Sequence, residues 1–189
     1  MVNIDLISKK AEELFKNSDF NNVSMDRIAK ETKISKKTIY KFFSSKYELI
    51  SYCCEKRMYY VEESIKEIIF NDEIIFKEKL RKYLLIVSKN QVFPKRHLDN
   101  IYSHFPEILK NYNNFKKKCE CDYFKILLEE GYKQNQLNKN IETDTIINVF
   151  INSLKNIFVS NSDKKEENEN LHDLFNNTFE IISKGIFLI

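Results

Sequence analysis

The sequence predicts an all-α fold of about nine helices, and three observations lead there. Only two glycines and two prolines occur in 189 residues, too few to turn the chain as often as hairpins and sandwiches require. Apolar residues recur at three- and four-residue spacing along most of the length. Serines stand just before several of these stretches, where a hydroxyl accepts from backbone amides that a helix start leaves unpaired.

The elements follow in order. Ile4, Ile7, Ala11, Leu14 and Phe15, with Lys9, Lys10, Glu12 and Glu13 between them, predict an amphipathic first helix that ends in the polar stretch 17–22. Ser24 caps a short second helix through Met25, Ile28 and Ala29, and Asp26 in its first turn suits the helix dipole. Ser35 caps a third, reaching about Phe43. Ser45 and Glu48 form a capping box that opens a fourth, long helix toward Ile69. A fifth runs from beyond Asp72 to about Lys89, and Pro94 fits the first turn of a short helix carrying His97, Ile101 and Phe105. Pro106 starts a long helix to about Glu130, which Gly131 is placed to close in a left-handed turn, followed by a polar loop over 133–140. Thr143 or Asp144 opens the next helix to about Ser160. A solvated loop over 161–170 precedes the last helix, Leu171 to Phe187.

Charge locates the function more sharply than composition does. Residues 1–50 hold ten Lys/Arg against seven Asp/Glu, whereas 51–189 hold 21 of each, so the net charge of +3 lies in the first quarter. Between Arg27 and Lys46, seven basic residues (Arg27, Lys30, Lys33, Lys36, Lys37, Lys41 and Lys46) face Glu31 alone, the footprint of a polyanion site. No apolar run suggests a membrane span, and Asp5 interrupts any signal-peptide pattern, so a cytoplasmic protein is expected. Cys53, Cys54, Cys119 and Cys121 lack the spacing of zinc or redox motifs and read as reduced thiols. No phosphate-cradling glycine loop or nucleophile motif is present, so neither an enzyme nor a cofactor or metal is expected.

A helix-turn-helix needs two short helices whose apolar faces lock together so that the second can enter the major groove. Ile28, Ala29, Ile34, Ile39 and Phe43 supply such a lock. Lys36, Lys37, Thr38, Tyr40 and Lys41 are then left outward, and residues 35–42 become the recognition surface.

These residues resemble the N-terminal domain of tetracycline-repressor (TetR) regulators. Ala11, Leu14-Phe15, Phe20, Ser24, Ile28-Ala29, Ile34-Ser35, Thr38-Ile39-Tyr40, Phe43, Ser45-Lys46 and Glu48-Leu49 stand in the order and spacing of that pattern. The resemblance implies a DNA-binding domain over residues 1–48 and a helical effector-binding and dimerisation domain over 49–189. It implies DNA contacts from Ser24, Arg27, Ser35, Lys36, Lys37, Thr38, Tyr40, Lys41 and Lys46, with Tyr40 and Lys46 on phosphates. Asp19, Lys33 and Lys37 depart from the pattern by replacing glycines, and a left-handed Lys33 would carry about 1–2 kcal/mol of strain.

For the remainder, the resemblance implies a homodimer on double-stranded operator DNA, released by a small apolar or aromatic effector. Ile147, Ile151, Leu154, Phe158, Leu171, Leu174, Phe175, Thr178 and Ile182 are the candidate dimer residues. Tyr59, Phe93, His97, Ile101, Phe105, Tyr123, Leu127, Phe150 and Leu154 are the candidate effector-pocket residues. His97 and His104 stand seven apart and could offer a polar handle or metal ligands, although a satisfied histidine is the plainer reading. A helical protein-interaction module and a ligand-independent regulator are the alternatives.

Overall fold

A computed structural model describes residues 4–18, 22–89, 105–159 and 169–187, and the regular elements among them are all helices. They are α1 (Ile4–Asn17), α2 (Met25–Thr32), α3 (Lys36–Tyr40), α4 (Lys46–Ile69), α5 (Phe76–Lys89), α6 (Pro106–Lys117), α7 (Tyr123–Lys133), α8 (Thr143–Val159) and α9 (Glu169–Ile186). A π-helical turn, Lys118–Asp122, joins α6 and α7 into one helical run. The short helix expected after Pro94 lies outside the described residues. Two compact units part within α4 between Tyr60 and Val61, and within α6 between Asn113 and Asn114.

The first unit closes on one apolar cluster. Ile7, Ala11 and Leu14 of α1 meet Ile28, Ile39, Phe43, Leu49 and Cys53, with Ala29 and Ile34 packed at its margin, so the expected lock is formed. Each fully buried aliphatic side chain here contributes roughly 1.5–3 kcal/mol. Polar ties reinforce the packing of α1 on α4: the Lys56 ammonium lies 2.5 Å from Asp5 and the Cys53 thiol points at the Ser8 carbonyl.

The second unit is built around Tyr83, Phe124, Phe150, Phe175 and Phe179, all fully buried. Lys79 is buried among α5, α7 and the end of α4, donating to both Glu130 carboxylate oxygens and to the Ile69 carbonyl at 3.0 Å. One carboxylate and one helix-end carbonyl thus satisfy a charge that burial would otherwise penalise heavily.

Gly131 corrects the sequence reading. The left-handed residue after this run is Asn135, at φ 53°, while Gly131 sits inside α7. Its missing Cβ is what the packing requires, since a methyl there would overlap the Phe76 ring and come 2.8 Å from a Leu137 methyl. Glycine was read as a helix stop because that is its commonest local role, but close approach of a neighbouring ring is a tertiary demand.

Candidate nucleic-acid interface

The backbone of the helix-turn-helix follows from its caps. Ser24 Oγ accepts from the Arg27 amide at 3.1 Å, and Ser35 Oγ accepts from the Thr38 amide at 3.1 Å. Between them Lys33 adopts φ 57°, ψ 27°, so the chain reverses through a left-handed residue without glycine. The Ile34 amide then donates to the Ala29 carbonyl at 3.2 Å, closing the end of α2.

The capping box at α4 forms with one correction. Ser45 Oγ accepts from the Glu48 amide at 3.1 Å as expected, but the Glu48 carboxylate accepts from the amide and hydroxyl of Ser44, at 2.6 and 2.7 Å, rather than from the Ser45 amide. These bonds from Ser44 hold the Glu48 carboxyl below its ordinary range. The third helix also stops at Tyr40, short of the expected Phe43, and a turn carries Phe43 into the core.

The outward set stands as one surface. Ser24, Arg27, Ser35, Lys36, Lys37, Tyr40 and Lys41 are exposed, with Thr38 and Lys46 half-buried, while Ile39 is completely buried behind them. Among the described residues, Arg27, Lys30, Lys33, Lys37 and Lys41 form no ion pair, leaving their charge directed to solvent. Lys36 differs: its ammonium is held 2.8 Å from Asp26. The Ser24 and Ser35 hydroxyls also have internal duties, as caps, and Ser35 Oγ shares a 2.7 Å hydrogen bond with Thr38 Oγ1. Asp26 was read from sequence only as a dipole partner, because a tie between residues ten apart depends on the turn geometry.

The candidate pocket residues fall in both units. Tyr59 is 61% exposed, and the Phe105 ring lies tilted against Tyr47 with centroids 5.6 Å apart, both in the first unit. Tyr123 donates to Glu62 at 2.7 Å, while Leu127, Phe150 and Leu154 are fully buried in the core of the second. Phe93, His97, Ile101 and His104 lie outside the described residues. The second unit also has an open, polar indentation of about 420 Å³ lined by Lys125, Glu129, Tyr132, Glu142, Thr143 and Asp144, distinct from the expected set. Among the described residues no cluster of three or more His, Cys, Asp or Glu could hold a metal ion, and no helix is long and apolar enough to cross a membrane.

Of the candidate dimer residues, Ile147, Ile151, Leu154 and Phe175 are taken up by the unit's own core. Leu171, Thr178 and Ile182 are half-buried and Leu174 is 45% exposed; the Phe158 side chain lies outside the described residues. Ile181, at 73% exposure, and Val149, at 45%, add to the outward apolar surface of α9 and α8. Sequence spacing could have found Ile181, which continues the 171-174-178 row at helical steps.

Comparison with known proteins decides what this head is. Residues 7–53 match the family of bacterial regulatory proteins described as the tetR family. The N-terminal segment is similar to a tetR-family domain. The rest of the chain shares the fold of TetR-type regulators. The ketosteroid transcriptional regulator KstR2 of Mycobacterium tuberculosis superposes with TM-score 0.72 at 14% identity, covering 100% of this chain and 98% of its own. The regulator FadR of Bacillus subtilis, solved with stearoyl-CoA, gives 0.66 at 17% identity over 97% and 100% of the two chains. Escherichia coli NemR in its reduced form gives 0.69 at 13% identity over 98% and 96%. No protein of curated function matches the TetR-like chain by sequence.

Proposed function

We propose that this chain is a dimeric, effector-responsive transcriptional repressor that binds a palindromic operator through α3. The observation that carries the reading is the exposure of Lys37 and Tyr40, with Lys41 at the C-cap, on a short helix whose opposite side, Ile39, is locked into the three-helix core. A rod about 10–12 Å across fits a major groove about 12 Å wide, and the unpaired ammonium groups meet phosphates on either side.

Dimerisation through α8 and α9 is supported by the row of exposed Leu174, Ile181 and Gly185 with half-buried Thr178 between them, flanked by Leu171 and Ile182. Gly185 has nothing within 4 Å of where a Cβ would stand, so a second helix can approach closely there. Two heads related by a two-fold axis would read half-sites roughly 34–36 Å apart. The effector reading rests on the aromatic character of the second unit, with Tyr123, Leu127, Phe150 and Leu154 retained as candidate lining. A ligand acts by binding the operator-competent and released states unequally.

The test is a gel shift of the full chain with random duplex DNA, followed by selection of the bound sequences. The reading expects a salt-sensitive shift and an enriched palindrome; no shift at low salt would remove it.

A further inference from the structure

Arg57, near the middle of α4, is half-buried and makes no hydrogen bond or ion pair with any described residue, and its Nε is buried with no partner. Basic residues elsewhere in the chain are treated differently. Lys56 holds Asp5, Lys66 holds Glu63, Lys79 holds Glu130, Arg81 holds Glu78 and Lys118 holds Glu62. Glu55, two positions before Arg57 and so on another side of the helix, accepts from the Ser51 hydroxyl instead.

Among the described residues, none on its own side of α4 supplies the missing charge. Ile50, Cys53 and Cys54 lie one and two turns earlier on the same side of α4 and are all buried. Burial pushes the Cys53 thiol up to about 12, and it drives Cys54 up as well despite the opposing pull of Arg57, so neither offers a thiolate. A buried donor without an acceptor demands an explanation, and a planar guanidinium beside apolar groups is suited to one kind of partner: an oxyanion attached to an apolar body.

We propose that Arg57 anchors the carboxylate or phosphate group of the effector. This rests on the reading of an effector-responsive regulator and gives that effector a chemical class. The position also gives the ligand a lever. Arg57 lies eleven residues, about 16 Å, along the same helix from Lys46, the candidate phosphate contact in the first turn of α4.

The experiment is thermal unfolding of the full chain with sodium decanoate, decyl phosphate or decanol at matched ionic strength, for wild type and Arg57→Met. One or both anions should raise the wild-type Tm by several degrees while decanol does not, and the anion that acts identifies the group. Arg57→Met without ligand should melt at or above wild type, because an unpaired charge has been removed, and should lose the anion response. The proposal is overturned if neither anion acts, if decanol acts equally, if Arg57→Met responds like wild type, or if unliganded Arg57→Met melts several degrees lower. Gel shifts without any probe report separately on the operator reading: Arg57→Met should still shift DNA, and a wild type that shifts none would sink the regulator reading without touching the anion response.

Discussion

The Lys36 ammonium lies 2.8 Å from the Asp26 carboxylate, tying the first residue of α3 to the second residue of α2. Two helices joined by a three-residue turn are thereby linked a second time, on the side proposed to face DNA. Lys36 is therefore partly neutralised where Lys37 and Lys41 are not. Lys36→Ala should change the salt dependence of DNA binding by clearly less than one phosphate contact, whereas Asp26→Asn, which releases Lys36, should steepen it. Fluorescence anisotropy with one duplex across a salt series measures both.

Lys33 holds a conformation that L-residues avoid, and its side chain forms no ion pair among the described residues. Lys33→Gly relieves about 1–2 kcal/mol of strain but loses about 0.4–1 kcal/mol to the greater freedom of the unfolded chain. A net gain of about 0.5–1 kcal/mol is expected, read as a higher denaturation midpoint in urea.

Gly131→Ala should do the opposite. Alanine suits a helix better by about 1 kcal/mol, but the Phe76 ring and Leu137 would have to move in a filled core, at about 1–3 kcal/mol. The expected result is a lower Tm, and Phe76→Leu should soften the defect in the double variant.

Glu62 accepts from Lys118, Tyr123 and Lys66, and although burial opposes its charge, these hydrogen bonds lower its carboxyl from 4.5 to about 2. A lowered folded value means that the unfolded state takes up protons first as pH falls. The stabilisation is complete above about pH 5 and disappears as pH drops toward 2. Glu62→Gln should thus be less stable than wild type by about 1–3 kcal/mol at neutral pH, and the two urea midpoints should converge in acid.

For the dimer, Ile181→Glu should yield a folded monomer by sedimentation, because the side chain is 73% exposed in the single chain. Leu154→Glu should instead unfold it, since that residue is fully buried.

The head was legible in the sequence because its determinants are local. Ser24 and Ser35 cap within three residues, and the apolar spacing of Ile28, Ile34, Ile39 and Phe43 identifies one inner side. What was not legible depends on neighbours distant in sequence. Gly131 is set by Phe76, 55 positions away, and Ile147, Ile151 and Phe175 could serve a core or a partner equally well until the core was seen to contain them. Arg57 carried no signal at all, because a lysine-like charge on a helix is normally solvated.

The central claim is that α3 presents its lysines to nucleic acid. Its most direct test is the affinity of the full chain for duplex DNA over roughly 50–200 mM salt, for wild type and for the double variant Lys37→Ala, Lys41→Ala. Weaker binding to every sequence, with the log–log salt slope shallower by about two, is the predicted result. Binding and slope unchanged from wild type, in a variant that melts like wild type, would contradict it.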